Sequence, residues 1–101
     1  LPGVLAYNQE NTDYSTLATA LFPHDEGEIY YYKGDVVEVM CRNIKELAEL
    51  AGIETRMSDY GISAEHIPML AEEAMKQSRL LVNNPREITE EVAKEIYWEV
   101  L

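Results

Sequence analysis

Apolar residues recur at three- and four-residue intervals along most of this chain, and polar or glycine- and proline-containing stretches separate the runs. Leu1, Val4, Leu5 and Asn8 fall on one helical face, and Gln9-Glu10-Asn11-Thr12-Asp13 then breaks the pattern with residues that cap well. Tyr14, Leu17, Ala18 and Leu21 predict a short helix whose first-turn amides Asp13 can hold, with Pro23 as its stop. The acidic segment His24-Asp25-Glu26-Gly27-Glu28 has no period and reads as a solvated loop. Val37, Met40, Cys41, Ile44, Leu47, Ala48 and Ala51 form the clearest stripe, opened by Asp35 as a cap, closed by Gly52, and supported by Glu38 one turn before Arg42.

The stretch from Ile53 to Ile62 predicts an extended connection with one helical turn. From Ser63 a further helix carries the stripe Ile67, Leu70, Ala71, Ala74, Met75, Ser78 and Leu81, with Pro68 tolerated in its first turn and Asn84-Pro85 as its end. Thr89 caps a last helix with Glu90 and Glu91 at its positive end and Val92, Ala93, Ile96, Tyr97 and Val100 on its apolar face. Only Tyr30-Tyr31-Tyr32 is strand-like, so the expected fold is all-α, a bundle of four or five helices.

Composition narrows the partners. At 101 residues, with 47% hydrophobic and 27% charged residues, the chain fits one small globular domain around one core. A formal charge of −11, from 19 acids against 8 bases, repels phosphate backbones and anionic lipid, so no nucleic acid is expected as a partner. No apolar run reaches the ~20 residues of a membrane span, and no basic leader precedes a cleavable apolar stretch, so neither spanning nor export is expected. The single thiol, Cys41, sits within an apolar stripe, as a small core residue does in a reducing compartment; a cytoplasmic location is the expectation. Leu1-Pro2-Gly3-Val4 is no translation start and carries a hydrophobic pattern at the terminus itself, which suggests a chain beginning mid-element.

Candidate chemistry is sparse. His24 among Asp25, Glu26 and Glu28 lacks the alternating acids and terminal glutamate of a calcium loop. His66 lies at a helix start with no second histidine or carboxylate at ligand spacing, which favours an exposed helix-end histidine over a metal ligand. Cys41 lacks the neighbouring base and electropositive setting of a nucleophile, and Ser58-Asp59 with His66 lack the strained glycine elbow of a hydrolase. The glycines are isolated, so no phosphate loop is present. Asn83-Asn84-Pro85-Arg86 is the one compact polar motif, and a turn serving geometry is favoured over a guanidinium and amides presented to a cleft.

The ordered pair of segments Gly61-Ile62-Ser63-Ala64-Glu65-His66-Ile67-Pro68-Met69-Leu70-Ala71-Glu72-Glu73-Ala74 and Asn84-Pro85-Arg86-Glu87-Ile88-Thr89-Glu90-Glu91 resembles the carboxy-terminal end of the iron-containing alcohol dehydrogenases. Upstream, Leu1-Pro2-Gly3-Val4-Leu5-Ala6-Tyr7-Asn8 is similar to that family's helix just after its last metal-ligating histidine, and Ile44-Lys45-Glu46-Leu47 through Gly52-Ile53 is similar to its next helix. The chain departs at Gly3, where many relatives carry histidine in the Leu-Pro-x-Val context, a position outside the metal set.

The resemblance implies a partial carboxy-terminal helical domain over residues 1–101, of the dehydroquinate synthase-like type, lacking the amino-terminal nucleotide-binding half. In the whole enzyme it implies hydride transfer between an alcohol or aldehyde and NAD(P), with Fe2+ or Zn2+ as Lewis acid held by one aspartate and three histidines. None of those ligands matches a position here, so no catalytic, cofactor-binding or metal residue is assigned and the fragment alone is expected to be inactive. Leu80, before the Asn-Pro-Arg turn, is the one candidate for lining the substrate cleft. The implied partners are the missing amino-terminal part of the same enzyme, a small alcohol or aldehyde, and a second copy in a homo-oligomer. Helices built to pack against a missing part predict a marginal or self-associating isolated chain. Two other readings compete: a free-standing acidic helical interaction module, and the dehydroquinate synthase and glycerol dehydrogenase branch, which lacks this Asn-Pro-Arg ending.

Overall fold

The computed structural model describes residues 1–22 and 36–101. Among these every regular element is helical: α1 (Pro2–Asn8), α2 (Ser15–Leu21), α3 (Val36–Leu50), a 3-10 turn (Met57–Tyr60), a second 3-10 turn (Ala64–His66), α4 (Ile67–Met75), α5 (Ser78–Leu81) and α6 (Glu90–Glu99). The all-α expectation holds for the described residues. The stop at Pro23, the acidic loop with His24, the Tyr30-Tyr31-Tyr32 run and the Asp35 cap lie outside them.

The chain divides into two compact units, Leu1–Ile53 and Glu54–Leu101, each with buried apolar side chains of its own. In the first unit α3 packs against both α1 and α2. Leu5, Ala18, Val36, Val37, Val39 and Met40 are buried together, with Tyr14, Phe22, Cys41 and Ile44 half-buried against them. The burial of Val36 and Val39 beside Val37 and Met40 shows that the first turns of α3 are enclosed on more than the predicted stripe. Farther along, the stripe loses its cover: Leu47 is 60% exposed and Ala51 is exposed, and beside the stripe Leu50 is 86% exposed. The helix ends in a Schellman motif, as predicted from Gly52. That glycine takes φ +76°, its amide donates to the Glu49 carbonyl at 3.0 Å, and the Ile53 amide donates to the Ala48 carbonyl at 2.9 Å. Asp13 holds the start of α2 from one position farther out than a cap, its Oδ1 accepting from the Ser15 amide at 2.9 Å.

In the second unit α4 packs against α6, and Ile67, Ala71 and Ala93 are buried. Alanine at buried positions on both helices lets their axes approach closely. The unit is also tied at its ends, since the amides of Met57 and Ser58 donate to the carbonyls of Val100 and Leu101 at 2.9 and 3.2 Å. Thr89 caps α6, its Oγ1 accepting from the Val92 amide at 3.3 Å.

One helix differs from the sequence reading. The stripe predicted from Ile67 to Leu81 stops at Met75, and α5 restarts at Ser78. The amides of Lys76 and Gln77 donate to carbonyls only three residues back, on Glu73 and Ala74, and Gln77 takes ψ 51°. Residues 76 to 80 are all exposed. Most of these residues are good helix formers, so the break goes with their lack of a buried face, since helix stability in proteins comes chiefly from packing.

Candidate functional site

Leu80 sits on the single turn of α5 and is 60% exposed. Its backbone is fixed on both sides, with its amide donating to the Gln77 carbonyl at 2.9 Å and its carbonyl accepting from the Asn83 amide at 3.2 Å. The following turn holds itself together through its asparagines. Asn83 Nδ2 donates to the Arg79 carbonyl at 2.9 Å, the Asn84 amide donates to the Leu81 carbonyl at 3.1 Å, and Asn84 Nδ2 donates to the Arg86 carbonyl. Both side-chain amides therefore shape the turn, and Leu80 is an apolar side chain displayed from a short, locally braced element.

The other chemical candidates are held by partners of their own. His66 is half-buried at the entry to α4, where it was expected to be an exposed helix-end residue. Its Nδ1 accepts from the Ser63 amide at 3.0 Å and lies 3.0 Å from Ser63 Oγ, which donates to Glu65 Oε1 at 3.3 Å. This is a capping box with histidine in the position usual for glutamate or glutamine. The spacing Ser63-x-x-His66 was visible in the sequence and is the signal that would have found it. The structure pairs His66 with Ser63, whereas Ser58 and Asp59 belong to the 3-10 turn tied to the chain end.

Cys41 is half-buried and free, with Sγ donating to the Pro2 carbonyl at 3.5 Å, so it joins α3 to α1. Burial pushes its thiol above the ordinary range, the reverse of what a nucleophilic cysteine needs. Two lysines form short-range pairs along their own helices. Lys76 bonds Glu73, and Lys94 reaches Glu90 at 2.9 Å and Glu91 at 3.0 Å. Hydrogen bonds donated to these glutamates, together with the carboxylates' charge, raise both lysines above the usual ammonium range. Among the described residues no three His, Cys, Asp or Glu side chains come together in a way that could hold a metal ion.

Among the described residues every regular element is helical, and the polar groups singled out serve caps, turns and short-range pairs. The family profile described as Fe-containing alcohol dehydrogenase family, C-terminal, matches residues 1–101, and the chain belongs to that family. Neither the curated proteins nor the solved structures give a match. The described residues do not fit the iron in the family's name, because such a site needs several nitrogen or oxygen ligands converging on one ion.

Proposed function

We propose that this chain serves as the carboxy-terminal helical part of a metal-dependent NAD(P)-linked alcohol dehydrogenase, with the nucleotide-binding domain and the metal ligands supplied by a preceding part of the same protein. The observation that carries this reading is the match of the family's C-terminal profile to the whole of residues 1–101. The bare apolar side chains of Leu47, Leu50 and Ile53 suit burial against that further part.

In this reading the helices act through shape, dryness and positioning. Leu80 forms part of the wall of the substrate cleft, where an apolar side chain on a braced turn excludes water around a small alcohol or aldehyde. The test compares the 101-residue chain with the product of the full coding sequence, by metal analysis and by alcohol-dependent reduction of NAD or NADP. Activity and stoichiometric metal in the longer protein alone are the expected result. Stoichiometric iron or zinc at micromolar affinity in the 101-residue chain, or cofactor reduction by it, would overturn the proposal.

A further inference from the structure

We infer that the turn entering α4 carries a proton-operated cap, in which His66 holds the Ser63 amide through a bare Nδ1 and releases it when that nitrogen takes up a proton. The geometry is specific about the proton. A backbone amide can only donate, so the 3.0 Å contact from the Ser63 amide requires a lone pair on Nδ1 and places the proton of neutral His66 on Nε2. A capping box built with glutamine keeps its acceptor at every pH, whereas an imidazole loses this one in a single protonation.

The alternative arrangement is already built. Ser63 Oγ lies 3.0 Å from the same Nδ1 and donates onward to Glu65 Oε1 at 3.3 Å. One proton from solvent turns Nδ1 into a donor, Oγ accepts it, and the hydroxyl keeps its own hydrogen directed at the carboxylate. The Ser63 amide then has no protein acceptor and turns to water, which the exposure of Ser63 permits. What changes is the anchoring of an extended residue, φ −122° and ψ 170°, that sets the direction in which the chain leaves for α4.

The charged groups on the elements packed here are Glu65 on the turn, Glu72 and Glu73 on α4 with Lys76 at its end, and Glu90, Glu91, Lys94, Glu95 and Glu99 on α6. Both lysines are bonded to acids of their own helices.

The test uses the full-length protein with 15N-labelled histidine and serine, followed by NMR through the range in which imidazole binds a proton, with H66Q as the comparison. Four results are expected. Neutral His66, assigned by the signals missing in H66Q, shows the Nε2–H tautomer. The Ser63 amide signal moves with the same midpoint as the His66 ring, and its hydrogen-exchange protection is lost on protonation. In H66Q the Ser63 amide signal does not move over the same pH series and keeps its hydrogen-exchange protection. An Nδ1–H tautomer in the wild type overturns the inference without reference to any variant. So does a Ser63 amide that fails to follow the ring, or one that titrates with the same midpoint in H66Q.

Discussion

Met40 is the residue on which the first unit depends most, and replacing it by alanine tests the packing directly. Its side chain has no exposure and lies within the group formed by Leu5, Ala18, Val36, Val37 and Val39. Truncation removes three heavy-atom groups beyond Cβ, which at ~0.8 kcal/mol each is a transfer loss of about 2.4 kcal/mol. If the walls close to leave a cavity on the order of 40 Å3, ~24 cal/mol per Å3 adds about 1 kcal/mol. The sum, about 3–3.5 kcal/mol, is a large share of the roughly 5–15 kcal/mol typical of whole domains. Urea unfolding of the 101-residue chain followed by far-ultraviolet circular dichroism should show it. With a slope of ~1.5 kcal/mol per molar, the midpoint moves down by about 2 M, and a marginal wild type gives a variant unfolded without urea. Met40→Leu, which nearly conserves volume, should cost under about 1.5 kcal/mol. Equal losses for the two variants, or an M40A midpoint within experimental error of wild type, would refute the packing argument.

Thr89→Ala removes the cap of α6 and should cost about 0.5–1 kcal/mol, toward the low end for caps because the bond is 3.3 Å long; Thr89→Ser should restore most of the urea midpoint. Gly61 sits at φ +81° with open space where a Cβ would go, so Gly61→Ala pays backbone strain alone. A loss of about 1–2 kcal/mol and a melting temperature lower by roughly 5–10 °C are expected. Cys41 should react with iodoacetamide more slowly in the folded chain than in urea, since burial raises its thiol. Because the neutral thiol is favoured in the fold, its contribution to stability is fully present below the unfolded thiol's range and is lost as pH rises through the folded one. Stability measured across alkaline pH should therefore fall more steeply in the wild type than in Cys41→Ala.

The candidate site was legible only in part. Leu80 came from the resemblance, since nothing in its own spacing marks it, and the structure contributes its exposure and the bracing of its turn. His66 was read from its place at a helix start, where the positive dipole and the lack of ligand partners are visible. Its bond to Ser63 depends on a rotamer, which residue types do not state. The Asn83-Asn84-Pro85-Arg86 segment was read as a turn because asparagine side chains bond nearby backbone, and both of them do so.

By itself the sequence determined the helical character of the chain, the starts at Asp13 and Thr89, and the stop at Gly52. These rest on interactions within four or five residues, where periodicity and capping chemistry operate. Tertiary structure alone decided that Val36 and Val39 are enclosed while Leu47 and Leu50 are not, and that the helix after Ile67 breaks at Lys76 and Gln77. It also decided that Met57 and Ser58 meet the carbonyls of Val100 and Leu101. Each of these depends on whether a surface from elsewhere in the chain arrives to cover an apolar side chain or satisfy a backbone group, and a helical stripe records only which face can be covered.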